Sequence, residues 1–235
     1  MYIVITDKVI FFKIKFMHET IQKLIHIEKL VKSKENDLKF KKLPKIIAVS
    51  KTFSINKILP LIEYGHSDFG ENKVQEAIEK WSEIKDKRPN INLHLIGKLQ
   101  TNKVKNAIKI FDFIHSVDNK KLAKKIADEQ NRIGKKVKIF LQVNLGNESQ
   151  KSGISKKESE SLFNYCREIG LDVIGLMCIP PIDVKPDPFF NELKNLNDKF
   201  GLSELSMGMS ADYEVAIRNS STYLRIGSDI FGKRI

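Results

Sequence analysis

The chain has 235 residues, 41% of them hydrophobic, so it can bury one sizeable core and we expect one main domain. Its formal charge of +12 attracts phosphates and other anions. The lysines are spread over every segment, without the arginine and aromatic clusters of a nucleic-acid face, so we expect no dedicated nucleic-acid binding.

The sequence gives little support for a membrane protein or a metalloprotein. No apolar run reaches the roughly 18 residues of a membrane-spanning helix, so we expect no membrane partner. Cys166 and Cys178 lack disulfide or zinc spacing, and the five histidines form no ligand pair, which predicts no metal and a reducing, cytoplasmic compartment. Residues 1–16 alternate apolar and charged side chains and end in no cleavage site, so we expect an N-terminal extension before a domain at 17–235.

From Met17 onward, segments with helical spacing of apolar residues alternate with short buried strands. The predicted helices are 18–34, 54–65, 71–85, 102–110, 118–134, 155–170, 187–201 and 210–219. The predicted strands are 45–50, 67–70, 91–96, 112–117, 137–143, 172–178, 204–207 and 223–227. Thr101, Asp118 and Ser155 are the expected N-caps of three of the helices.

Eight buried strands with helices between them favour a parallel sheet that closes into a single (β/α)8 TIM barrel of the α/β class. An open, doubly wound sheet is the alternative. Its glycine fingerprint G-x-G-x-x-G is absent after the first strand, where Lys51-Thr-Phe-Ser54 stands instead. The pattern therefore favours the barrel.

The carboxyl ends of barrel strands carry the chemistry in this fold. Lys51 follows the apolar run 45–50 and is either a solvated strand end or a nucleophilic amine. Residues 205–210 and 223–228 end in glycine and hydroxyl residues of the kind that surround a phosphate. An amine and a phosphate cradle at one barrel mouth would suit an aldehyde phosphate.

Several motifs at these strand ends carry a family resemblance. They are Ala48-Val-Ser-Lys51, Phe69-Gly-Glu-Asn72, His94-Leu-Ile-Gly97, Ser116-Val-Asp118, Gly175-Leu-Met177, Leu205-Ser-Met-Gly-Met-Ser210, Arg225-Ile-Gly227 and Ile230-Phe-Gly232. In order and spacing they resemble the YggS/PROSC family of pyridoxal 5′-phosphate homeostasis proteins, from about Met17 to Arg234. That family is related to the N-terminal barrel of alanine racemase.

The resemblance implies a fold-type III barrel that holds pyridoxal 5′-phosphate on Lys51 as a Schiff base (aldimine). It implies phosphate contacts for Ser210, Gly227 and Ser228. The structural alternatives are a helix N-cap for Ser210 and a tight turn at Gly227. Lys151, near the end of the fifth strand, is the expected minor site of attachment.

The resemblance also places Arg225 opposite the pyridine nitrogen, where a permanently protonated side chain should leave that nitrogen unprotonated. Asn72 would bond near the Schiff base or orient Lys51, unless it caps the following helix. By its place within a strand, His94 is expected to be a core histidine, and Met207 and Met209 are expected to pack in the barrel.

Four positions depart from the family pattern. Phe53-Ser54 stands where lysine and proline are common, Lys98 lies in the third-strand loop, Ser220 replaces a glycine, and Ser228 replaces a threonine. None removes the attachment lysine or the arginine. The loop geometry near Lys51 and Ser220 is therefore harder to predict than the site itself.

Three functions compete at this stage. A carrier would bind, buffer and deliver the cofactor, with client apo-enzymes as partners and the chain as a monomer. A cofactor-dependent enzyme, such as an amino-acid racemase, needs a second acid/base; related racemases take a tyrosine from a C-terminal domain, and this chain ends eight residues after Gly227. A phosphate-binding or RNA-binding barrel driven by charge is the third. We expect the carrier, without catalytic residues.

Overall fold

The structure is a computed structural model that describes residues 17–34, 43–146 and 152–233. Nine parallel strands lie in these ranges: β1 (Lys45–Val49), β2 (Asp68–Glu71), β3 (Asn92–Leu95), β4 (Phe113–Val117), β5 (Lys138–Asn144), β6 (Ile154–Ser155), β7 (Asp172–Met177), β8 (Glu204–Met209) and β9 (Tyr223–Ile226). Eight of them close in the order β1-β2-β3-β4-β5-β7-β8-β9 and back to β1. The predicted TIM barrel is confirmed, and the short β6 that pairs with the end of β5 is an addition.

The helices surround the barrel and follow the strands in alternation. They are α1 (Glu19–Ser33), α2 (Ile55–Tyr64), α3 (Val74–Lys87), α4 (Val104–Ile110), α5 (Lys120–Ile133), α6 (Lys156–Glu168), α7 (Asp187–Lys199), α8 (Tyr213–Arg218) and α9 (Ser228–Phe231). Leucine, isoleucine and phenylalanine side chains fill the space between helices and strands. Burying these apolar side chains is the main favourable term in folding such a chain.

A second, smaller core lies inside the barrel. Ile47, Phe113, Phe140, Met177 and Tyr223 pack against one another there, each less than 5% exposed. They share this interior with buried polar side chains on β3, β4, β8 and β9. The barrel is therefore packed along its axis and its open face lies at the carboxyl ends of the strands.

Three predicted helix starts need correction. Asp118 does not cap α5, because its carboxylate accepts from Gly153 N–H at 3.3 Å while Asn119 caps the helix through Leu122 N–H at 2.8 Å. Thr101 opens a short 3₁₀ turn, 101–103, ahead of α4. The predicted helix 210–219 begins only at Tyr213, because residues 210–212 form a turn.

One other predicted helix start is confirmed. Ser155 caps α6 as expected, accepting from Glu158 N–H at 3.3 Å. Cys166 and Cys178 are buried free thiols, and burial raises the pKa of each to about 12. Residues 1–16 and Lys151 lie outside the described residues, so the predictions made for them stay predictions.

Candidate functional site

A cavity of about 780 Å³ opens at the carboxyl ends of the barrel strands, a size typical of small-molecule sites. It draws on loops after β1, β2, β3, β5, β7, β8 and β9. All six binding residues predicted from the sequence line this one cavity: Lys51, Asn72, Ser210, Arg225, Gly227 and Ser228. The barrel thus brings together residues separated by up to 177 positions in the chain.

Lys51 lies in a strained, tightly held segment at the end of β1. The next residue, Thr52, has φ of 68°, a left-handed conformation that is rare for a β-branched side chain. The carboxylate of Glu76 accepts from Thr52 N–H at 2.6 Å. Strain of this kind persists where surrounding contacts enforce it, and it is common at functional sites.

A buried acidic cluster fixes this segment from behind. Glu71 is fully buried, and its Oε1 accepts from Ser50 Oγ at 2.7 Å, Trp81 Nε1 at 2.9 Å and Lys80 Nζ at 3.0 Å. Lys80 Nζ also donates to the Ser50 carbonyl and to Glu76 Oε1, each at 3.0 Å. The cluster therefore ties both sides of Lys51 to β2 and α3, and the sequence reasoning missed this role.

Asn72 follows β2 and presents an acceptor that needs a partner. Its Oδ1 is buried and has no hydrogen bond, a costly state for a polar atom. It does not cap α3, whose N-cap is Lys73. Gly97 packs so closely on Asn72 that an added Cβ would lie 2.3 Å from the Asn72 carbonyl oxygen.

On the opposite side, Ser210 lies over the start of α9. Its Oγ accepts from Gly227 N–H at 3.3 Å and from Asp229 N–H at 3.4 Å, both long hydrogen bonds. Since α8 begins at Tyr213, Ser210 is not that helix's N-cap. These hydroxyl and N–H groups are donors of the type that bind phosphate oxygens.

Gly227 is not required by the backbone. Its φ is −116°, and an added Cβ would come no closer than 3.4 Å to Val49. A glycine there instead leaves room for a ligand to approach the backbone. The Gly227 carbonyl accepts from Ile230 N–H at 3.0 Å, so the chain turns into α9 here, but this turn does not need a glycine.

Arg225 forms the buried floor of the cavity and is 4% exposed. Its Nη1 donates to Ser206 Oγ at 2.7 Å and its Nη2 donates to the Cys178 carbonyl at 2.9 Å. Burial lowers the pKa of Arg225, but an arginine stays charged in proteins. The floor therefore holds a fixed, oriented positive charge.

Of the remaining sequence predictions at the site, two are confirmed and one is wrong. His94 is fully buried in the core, as expected, and Met207 is packed there too. Met209 differs, since it is only partly buried at the end of β8 and lines the cavity. Among the described residues no helix is long and apolar enough to cross a membrane, and no three side chains are grouped to ligate a metal.

Comparisons with known proteins agree with this geometry. Residues 34–234 match the family model described as the N-terminal domain of alanine racemase. The pyridoxal phosphate homeostasis protein of Aquifex aeolicus is 36% identical over 218 residues, which are 88% of this chain and 95% of that protein. The bovine protein of the same name is 35% identical over 211 residues, 81% of this chain and 77% of that protein.

Solved structures give the same picture. PipY of Synechococcus elongatus without PLP superposes with a TM-score of 0.83 at 30% identity, covering 92% of this chain and all of that one. Its form with PLP bound gives 0.77 over 91% of this chain. Alanine racemase of Clostridium difficile shares the fold, with a TM-score of 0.70 at 16% identity over 92% of this chain and 60% of that one.

Proposed function

From the premise that this chain belongs to the family of pyridoxal phosphate homeostasis proteins, built on the alanine racemase N-terminal domain, we propose that it binds pyridoxal 5′-phosphate and buffers or delivers it. The observation that carries the proposal is the set of residues that line one cavity. An amine, an amide with an unpartnered acceptor, a set of hydroxyl and backbone N–H donors, and a buried guanidinium belong to residues that line the same space.

These groups fit the chemistry of the cofactor. When bound, the cofactor supplies an aldehyde that condenses reversibly with a primary amine and releases water. Lys51 supplies that amine. The Asn72 acceptor, otherwise unpaired, can take a donor beside it.

The other end of the cavity suits the phosphate and the ring. Ser210, Ser228 and the N–H of Gly227 supply donors for phosphate oxygens, and the surrounding lysines favour a dianion. Arg225 would place its charge beside the bound ring. Because an arginine keeps its protons, it would leave a ring nitrogen that faces it unprotonated.

We propose that the site holds the cofactor without turning over a substrate. The charged side chains of the described cavity lining are Lys51, Lys98, Arg225 and Lys233. Racemase chemistry needs an electron sink and a positioned acid/base on each face of the substrate carbon. A lining with three amines and one guanidinium suits the binding and exchange of the cofactor better than proton transfer to a substrate carbon.

The enzyme alternative has a direct assay. The assay follows deuterium incorporation at Cα of alanine in heavy water, with protein saturated with pyridoxal 5′-phosphate. The exchange rate should stay far below roughly 1 s⁻¹, the turnover number of slow ordinary enzymes. Exchange at that rate would make this an enzyme. We also propose client apo-enzymes as partners, a monomeric state, a cytoplasmic location and a domain at 17–235 after an N-terminal extension.

The first experiment is attachment mapping. Borohydride reduction of the loaded protein, followed by peptide mass spectrometry, should place the pyridoxyl group on Lys51. Lys51→Ala should lose it, whereas Lys73→Ala, at an exposed lysine on the N-terminal side of α3, should not. Attachment that persists in Lys51→Ala, on Lys151 or elsewhere, would overturn the assignment.

A further inference from the structure

Five polar side chains form one continuous hydrogen-bonded chain through the barrel interior. The links are Arg225 Nη1 to Ser206 Oγ (2.7 Å), Ser206 Oγ to His115 Nδ1 (2.8 Å), His115 Nε2 to His94 Nδ1 (3.0 Å) and His94 Nε2 to Asp68 Oδ1 (3.1 Å). Since β4 and β8 are not neighbours in the barrel, the link between His115 and Ser206 crosses the interior. The chain joins the cavity floor to the first residue of β2.

The chemistry of the two ends fixes every proton along this chain. The Asp68 carboxylate only accepts, so His94 donates from Nε2 and its Nδ1 must accept from His115. The Nδ1 of His115 then accepts from the Ser206 hydroxyl, whose oxygen accepts from Arg225. All donors point from Arg225 toward Asp68, and both imidazoles are neutral with the proton on Nε2.

Packing and burial hold this arrangement. The His94 ring stacks on Phe113 and the His115 ring stacks on Phe140, each with ring centroids 4.2 Å apart. Both imidazoles are fully buried, and burial lowers the pKa of each, which keeps them neutral. Burial raises the pKa of Asp68, but the hydrogen bond with His94 outweighs it and the pKa is about 2.

We propose that Asp68, His94, His115 and Ser206 are positioning residues that orient Arg225 and supply its remote counter-charge through this one-directional chain. The inference rests on the proposed function, in which Arg225 faces the bound ring. A buried guanidinium is costly unless it is compensated, and besides the charge of Asp212 this chain links Arg225 to a second carboxylate, Asp68. Neutral, polarised imidazoles carry the field of Asp68 to Arg225 across the interior.

The test asks whether changes far from the ligand alter its affinity. Asp68 and Ser206 do not line the cavity. Asp68→Asn and Ser206→Ala should each weaken pyridoxal phosphate binding by about threefold to tenfold, the range for one buried hydrogen bond. The measurement is the dissociation constant from the visible absorption of the bound cofactor.

Two matched controls separate positioning from packing. Asp112 precedes β4 and accepts from Leu93 N–H at 2.8 Å, and the buried Ser221 donates to the Met207 carbonyl at 2.7 Å; neither belongs to the chain. Asp112→Asn and Ser221→Ala should lower thermal stability to a similar degree and leave the dissociation constant unchanged. Equal losses of affinity in tests and controls would overturn the proposal.

A second readout needs no cofactor. Long-range ¹H–¹⁵N NMR of the cofactor-free protein should show His94 and His115 as neutral Nε2–H tautomers. In Asp68→Asn the amide can accept or donate, so mixed tautomers should appear. A charged imidazole or an Nδ1–H tautomer in the wild type would sink the chain, whereas a wild type that binds no cofactor would sink only the proposed function.

Discussion

The two sides of the cavity are built by different physics. The side we call the Lys51 rim comprises residues 50–53 with Glu71, Glu76, Lys80 and Trp81, and it is held by short, charged hydrogen bonds around a strained residue. The Ser210 rim comprises Ser210 and residues 227–229, held by bonds of 3.3 and 3.4 Å. In the proposed function the first rim would hold the attachment lysine in a fixed position, and the long hydrogen bonds of the second would be easily exchanged for bonds to an anion.

The largest effect should come from breaking the Lys51 rim. Glu71→Ala removes a fully buried carboxylate, leaves the Trp81 N–H without its acceptor and takes from Lys80 one of its two carboxylate partners. Loss of one partner of a buried ion pair costs about 3–5 kcal/mol of unfolding free energy. Urea denaturation measures it. The control is Glu79→Ala, which changes an exposed carboxylate on α3 and should cost less than about 0.5 kcal/mol. Equal losses in the two variants would contradict the role of the cluster.

The Ser210 rim should respond in affinity and leave stability unchanged. Ser210→Ala removes one hydroxyl donor to the phosphate, a charge-assisted bond of about 1.5–3 kcal/mol, which is roughly ten- to a hundredfold in dissociation constant. Titration with pyridoxal, which lacks the phosphate, provides the control and should be unaffected. A similar loss for both ligands would mean that Ser210 acts only on α9.

Backbone strain offers a matched pair, one residue in the Lys51 rim and one in the loop before β9, at the opposite end of the barrel. Thr52 and Ser220 both have positive φ, 68° and 65°. Glycine at either position should raise the unfolding free energy by about 0.5–1 kcal/mol, which is the strain relieved less the added chain entropy. Only Thr52→Gly should also slow attachment of the cofactor to Lys51. Stopped-flow absorbance tests this, and equal loading rates in both variants would show that the Thr52 conformation does not orient the amine.

The smallest effect is a pH dependence confined to the Lys51 rim. Burial raises the pKa of Glu76, but the Thr52 N–H and Lys80 outweigh it and the pKa falls below its usual 4.5. A carboxylate with a lowered pKa stabilises the fold above pH 4.5, and this contribution is lost as pH falls further. The stability gap between wild type and Glu76→Gln, about 0.5 kcal/mol after solvent screening, should shrink below pH 4.5. A gap that is constant from pH 7 to 3 would contradict it.

The sequence predicted the strand ends well because buried parallel strands end at one face of a barrel. Lys51, Asn72 and Arg225 needed only that rule and the motifs to be placed together. The acidic cluster behind Lys51 and the interior chain were missed because they depend on tertiary contacts: His115 and Ser206 are 91 positions apart. Polar residues inside otherwise apolar strands, such as His94 and His115, were the available signal.

Local signals also misplaced some boundaries. Ser210 and Asp118 have good capping chemistry, but each finds a partner distant in sequence, Gly227 N–H for one and Gly153 N–H for the other. Tertiary contacts therefore overrode the local preference for a cap. The same competition places Ser210 in the cavity lining.

The close contact between Gly97 and Asn72 has a consequence for traffic through the cavity. No side chain fits at Gly97, because an added Cβ would also lie 2.8 Å from Asn72 Cα. The contact couples the loops after β2 and β3. The segment after β7 instead exposes Ile179, Ile182 and Val184. If the chain carries the cofactor as proposed, we expect exchange to proceed past that segment, and an added side chain at Gly97 to push the coupled loops apart.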